Sequence, residues 1–222
     1  MIIAEQKPLD EIRGQVAPFK KVLVLGCGTC VTVCFAGGEK EVGVMASALR
    51  MASTVDAQQK EFTEATIKRQ CEWEFLDSVA DQIKSADAVL SLGCGVGVQA
   101  IAERFPNVRV YPGLDTSFMG LPTEQGAWAA RCAACGQCLL GRFAGVCPIV
   151  RCSKSLLNGP CGGSHDGKCE ISPETPCGWQ LIYDRLAALG NLDSLEEIVP
   201  PKDWSKGLGR GGRTIVREDL KV

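Results

Sequence analysis

Eight cysteines fall between Cys132 and Cys177, in a stretch with several glycines and neither a helical nor an alternating apolar period. Such a segment cannot order itself by burying apolar side chains. Metal–thiolate bonds are the substitute, because their binding energy becomes folding energy in small metal domains. The whole chain has thirteen cysteines and one histidine in 222 residues. Soft thiolates select zinc or iron–sulfur clusters, and a single imidazole leaves little room for His-rich zinc chemistry. The start, MIIAEQKPLDEIRGQ, lacks the basic flank and apolar run of a signal peptide. An odd cysteine count with CxxC spacings in that setting argues for metal over a disulfide framework. No run approaches the ~18 apolar residues of a membrane span, so the expectation is a soluble, cytoplasmic chain without membrane insertion. The formal charge of −2, with no basic stripe, argues against nucleic acid and leaves protein or a small molecule as partner.

Upstream of the cysteine-rich stretch the pattern is different. Residues 21–25 (KVLVL) have the β-branched content of a buried strand, and 38–51 place Val42, Met45 and Leu49 at helical spacing. Residues 62–69 continue as strand, 72–85 as helix, 88–92 as strand, 98–105 as helix and 108–111 as strand. This rhythm predicts an α/β fold, a small flavodoxin-like or Rossmann-like parallel sheet in strand order 2-1-3-4 with right-handed crossovers. The expected organisation is an α/β domain over 1–118, a cysteine-rich, irregular metal-binding domain over 119–190 ending in a helix at 179–189, and a tail over 191–222. That tail, rich in Gly, Pro and charge, is either a mobile end or a partner-docking arm.

Cys132, Cys135 and Cys138 form C-x2-C-x2-C, and Cys147 follows in a Cys-Pro pair. Three thiolates at that spacing wrap one corner of a cubane, and a Cys-Pro supplies a further ligand in bacterial ferredoxins. The ferredoxin interval before Cys-Pro is shorter, and in two-cluster ferredoxins that last cysteine serves the other cluster, so Cys147 is less firmly assigned than the first three. Structural zinc is the alternative, although two separated CxxC pairs would be more usual for it. Cys152, Cys161, Cys169 and Cys177 make a second quartet, each on its own turn, with bends at Asn158-Gly159-Pro160 and Gly162-Gly163. Four thiolates can hold a [4Fe–4S] cluster or one zinc ion. His165 lies within this quartet and is read as a surface-loop residue rather than a ligand.

The five remaining cysteines are Cys27, Cys30, Cys34, Cys71 and Cys94. In strand order 2-1-3-4, Cys71, Cys27 and Cys94 follow three adjacent strands, at the carboxyl edge where open α/β sheets bind ligands. A third metal cluster is expected there, with Cys27, Cys30, Cys34 and Cys94 as the first choice of ligands and Cys71 as alternate fourth ligand or buried spare. Ordinary packing of buried thiols is the competing explanation. Gly26-Cys27-Gly28 and Gly93-Cys94-Gly95-Val96-Gly97 are not dinucleotide fingerprints. There is no Ser-His-Asp set, no paired carboxylates with a shared motif and hence no catalytic residue to name. Trp73, Trp128, Trp179 and Trp204 read as packing or interface residues.

The run CSKSLLNGPCGGSHDGKCEISPETPCGWQLIYDRL resembles the C-terminal cysteine-rich domain associated with methylenetetrahydrofolate reductase. LGCGTCVTVCFAGGEKEV, RQCEWEF, LSLGCGVGVQ and CAACGQC are similar to the MetV-type small subunits found beside the flavin-containing MetF-type subunit in acetogenic and related anaerobic bacteria. The resemblance implies two or three [4Fe–4S] clusters, with zinc in place of one as the alternative. It also implies a non-catalytic electron-transfer subunit in one-carbon metabolism (the Wood-Ljungdahl pathway). Electrons would pass between an external donor, such as a ferredoxin or a heterodisulfide-reductase-like module, and FMN on the partner, where methylene-tetrahydrofolate becomes methyl-tetrahydrofolate. A flavin barrel of about 250 residues has no room in this chain, so FMN is expected on the partner and not here. The competing expectation is a zinc-stabilised docking subunit without redox function.

Overall fold

The apolar runs at 21–27 and 88–92 become the two central strands of a parallel sheet, because both of their faces are covered. The computed structural model describes residues 1–207, 212 and 214–220. Its contacts divide into two units, Met1–Ala129 and Ala130–Val222. The first unit runs β1 (Ile2–Gln6), α1 (Leu9–Val16), β2 (Lys21–Cys27), α2 (Cys30–Val33), α3 (Glu39–Val55), β3 (Glu61–Ile67), α4 (Trp73–Asp77), α5 (Ala80–Ser85), β4 (Ala88–Leu92), α6 (Gly95–Arg104), β5 (Arg109–Pro112), β6 (Leu114–Glu124) and the first half of β7 (Ala127–Cys132), whose last residues belong to the second unit.

The parallel sheet has the order β3-β2-β4-β5, which is the expected 2-1-3-4. Alternation along β2 explains why it is central. Val22 and Val24 enter one core with Val42, Met45 and Leu49 of α3, whereas Leu23 and Leu25 enter a second core with Leu76, Ile83 and Ile101. Two-sided burial makes the strand read as a continuous apolar run rather than an alternating one.

Three features depart from the sequence expectation. The helix expected over 72–85 is two short helices, α4 and α5, because Ser78 Oγ donates to the Phe75 carbonyl (2.7 Å) and Val79 leaves helical geometry (φ −119°, ψ 18°). A hydroxyl that bonds back to its own turn competes with helix continuation. A second, three-stranded sheet, β1-β6-β7, was not anticipated; β1 pairs antiparallel with β6 (Ile3↔Phe118). As a result the expected boundary at 118/119 falls inside β6, and the first unit extends to Ala129.

The second unit contains the single turn α7 (Pro148–Arg151), a hairpin of β8 (Lys168–Cys169) and β9 (Ser172–Pro176), and α8 (Gly178–Ala188). Its core is small: Phe143, Cys177, Trp179, Ile182, Leu186 and Val199. Trp179 meets Phe143 edge-on at 5.5 Å and donates Nε1–H to the Leu156 carbonyl (3.1 Å). Asn158 grips Val199 through both backbone groups (3.0 and 2.7 Å). Part of the expected tail packs within this unit. Lys202 is buried and its Nζ donates to the Gln137 carbonyl, while the Asp203 N–H donates to Gln137 Oε1 (3.1 Å). Residues 208–211, 213 and 221–222 of that tail lie outside the described residues.

Candidate metal centres

All thirteen cysteines are free thiols. The second quartet is the most fully assembled group. Cys152, Cys161, Cys169 and Cys177 line one small cavity together with Lys154 and Glu170, which pair with each other. Each cysteine arrives by a separate local device. Cys152 closes α7 and Cys177 caps the start of α8. Gly178 lets these two backbones meet, since a Cβ there would stand 2.5 Å from the Arg151 carbonyl and 2.8 Å from the Cys152 nitrogen. Cys161 follows the Asn158-Gly159-Pro160 bend, where Gly159 has φ 103°. Cys169 sits on β8 with its sulfur 3.4 Å from Ser153 Oγ. That hydroxyl, helped by the Ile171 backbone, holds the Cys169 thiol below its ordinary pKa.

Just before β8 a two-residue turn at Asp166-Gly167, both at positive φ (47° and 74°), joins His165 to Lys168, which exchange both backbone bonds. Such turns match the twist of the flanking strands. Their end is anchored by the Cys177 N–H, which donates to the Gly167 carbonyl (2.8 Å). His165 is at the tip, with its side chain 91% exposed beside Asp166 at 3.0 Å. His165→Ala is therefore expected to leave the metal content of the purified chain unchanged; a drop would make it a ligand.

The first quartet lies on more open structure. Cys132 ends β7, and the Ala134 N–H approaches its sulfur at 3.4 Å. Ala134 and Gly136 at φ 47° and 75° coil the chain through Cys135 towards Cys138. A Cβ on Gly136 would lie 2.3 Å from the Lys206 carbonyl, so residues 202–207 close over this loop only because glycine stands there. Cys147 caps the start of α7, the same turn that Cys152 ends. Near these thiols Arg131 and Arg151 share one electrostatic neighbourhood; burial first, and then the like charge of Arg131, lowers the pKa of the Arg151 guanidinium.

In the first unit, Cys27 ends β2, Cys94 caps α6 just beyond β4, and Cys71 follows β3. Burial of its sulfur, then the neighbouring Cys27 and Cys94, push the Cys71 thiol up, although the residue as a whole has an exposed side. Cys34 differs. It is 7% exposed, and its sulfur donates towards the carbonyls of Ala4 (3.5 Å), Cys30 and Val31 (both 3.6 Å). Burial pushes the Cys34 thiol up as well.

Among the described residues, no group of three or more Cys, His, Asp or Glu side chains is positioned as it stands to hold a metal ion. The donor sets nevertheless fit a soft metal: the second quartet offers four sulfurs around one cavity and no competing imidazole.

Residues 111–205 match the family model described as "Methylene-tetrahydrofolate reductase C terminal". The match relates this segment, less than half of the chain, to the C terminal of methylenetetrahydrofolate reductase, and it takes in all eight cysteines of the two quartets and none of the five in the first unit. No curated protein and no solved structure matches the chain. Among the described residues no helix is long and apolar enough to cross a membrane.

Proposed function

We propose that the chain is an iron–sulfur electron-transfer subunit of a methylenetetrahydrofolate reductase assembly, of the MetV type. It would pass electrons between an external donor, a ferredoxin or a heterodisulfide-reductase-like module, and FMN on a MetF-type partner. The observation that carries this reading is that the family match coincides with two thiolate quartets joined by one turn of helix. An iron–sulfur cluster supplies one-electron transfer at a potential set by charge, hydrogen bonds to sulfur and exposure. The chain's own residues supply the rest. Cys147 and Cys152 bound α7, so a ligand of each quartet lies within about 7.5 Å of helix rise of the other. Arg131 and Arg151 bring positive charge to thiolate-rich loops that carry net negative charge once metallated.

Four cysteines around one cavity also suit a second reading, a zinc ion at Cys152, Cys161, Cys169 and Cys177 that only stabilises the unit. Anaerobically purified protein separates the two. Broad visible absorption that bleaches with dithionite, with iron and acid-labile sulfide in excess over zinc, is expected. A colourless protein carrying only zinc would leave the docking role and remove electron transfer.

A further inference from the structure

We propose that the carboxyl edge of the parallel sheet is a metal–thiolate site of its own, with Cys27, Cys30, Cys71 and Cys94 as ligands and Cys34 as a structural thiol. It lies wholly outside the family-matched segment.

The sheet order supplies the first argument. β2 lies between β3 and β4, with Cys27 opposite Ile67 and Gly26 opposite Leu92. Neighbouring strands stand about 4.8 Å apart, so chains leaving these three ends start as close neighbours. Cys27 is the last residue of β2, Cys94 follows β4 by two residues, and Cys71 follows β3 by four. Cys27 and Cys94 rest on the same apolar core. Cys71 lies within electrostatic reach of both, and Arg69 within reach of Cys71 and Cys30.

The loop that carries Cys71 is held against the other two strand ends by the residue before it. Gln70 is 1% exposed; its Nε2 donates to the Leu25 carbonyl (2.7 Å) and its Oε1 accepts from Ser91 Oγ (2.6 Å). Ser91 Oγ in turn accepts from the Gly93 N–H (3.1 Å), next to Cys94. A buried amide linking β2 to β4 in this way fixes where Cys71 emerges. Gathering thiols at one edge is unfavourable once they ionise, because like charges oppose one another, and a bound cation removes that conflict.

Cys34 is set apart by chain geometry. α2 ends at Val33, and Phe35 turns the chain with φ 53°. The Cys34 sulfur consequently faces the Ala4 carbonyl of β1 within the core, where its hydrogen bonds are already made. The four remaining thiols suit an iron–sulfur cluster or a zinc ion, and binding requires their side chains to rotate towards one point.

Iodoacetamide footprinting of the full chain, purified anaerobically and read by mass spectrometry, tests the site without any substitution. Cys71 has an exposed side, so a free thiol there is alkylated; the expected result is protection of Cys27, Cys30, Cys71 and Cys94 together. In parallel, Cys71→Ala is expected to bind less metal than wild type, counted as iron plus zinc, while Cys34→Ala binds the same amount. Rapid alkylation of Cys71 in the protein as isolated, or equal metal loss in Cys34→Ala, overturns the assignment. The metal inventory says whether the site holds iron with sulfide or zinc. A zinc-only chain that protects Cys71 would keep this site while removing the electron-transfer role.

Discussion

Cys177→Ala in the full chain is expected to release the metal of the second quartet and to unfold much of the second unit, while the parallel sheet stays folded. Cys177 has two roles in one place. It lines the thiol cavity, and its backbone and side chain join the Gly167 turn to the core of Phe143, Trp179, Ile182 and Leu186. That core rests on one helix of 11 residues and a hairpin with strands of two and five. Structural zinc is worth about 10–16 kcal/mol in small metal domains. A whole domain is stable by only about 5–15 kcal/mol. Losing the metal therefore removes as much free energy as the unit has to spare. Native-state hydrogen exchange read on α8 and on β2 gives the check: protection should collapse in α8 and persist in β2. Wild-type protection of α8 in the variant, with the metal gone, would mean that apolar packing alone holds this unit.

The contrast between the two units also explains what the amino-acid pattern made legible. β2 and β4 could be read because residues on both faces are buried, which leaves continuous apolar runs bounded by glycine. Their order followed from the crossover rule applied to that rhythm. β1 and β6 could not be read. Along β6 only Leu114 and Gly120 are buried, and a strand with so few inward positions leaves no alternation in the sequence. The quartet Cys152, Cys161, Cys169 and Cys177 was legible from its count and its turn residues, and the structure brings its members to one cavity. The burial of Cys34 was not. Its spacing from Cys30 would put both thiols on one helix face, but α2 ends after a single turn and sends Cys34 into the core. Gln70 was also invisible, because a lone glutamine after a strand gives no sign that it will be buried between two other strand ends.

Gln70→Leu is expected to destabilise the first unit by about 2–5 kcal/mol, the cost of leaving two buried polar groups without their partner. Leucine keeps much of the volume, so the loss reports hydrogen bonding rather than a cavity. The Leu25 carbonyl loses its donor from Gln70, and the Ser91 hydroxyl loses its acceptor, in a region where Gly93 and Gly97 pack directly on the glutamine side chain. Ser91→Ala alone should cost about 1–3 kcal/mol, since it strands Gln70 Oε1 and the Gly93 N–H. The double variant should cost less than the sum of the two, because both singles break the same bond; a coupling of about 0.5–3 kcal/mol is the scale for residues in one network. Urea unfolding of the four proteins, followed by hydrogen exchange of β2 and β4 amides, measures the cycle. Strict additivity would show that Gln70 and Ser91 act separately. The same four proteins connect stability to chemistry through the reactivity of Cys71. If the buried amide sets where that thiol emerges, Gln70→Leu should raise its alkylation rate under conditions where the sheet is still folded, and Ser91→Ala should do so less.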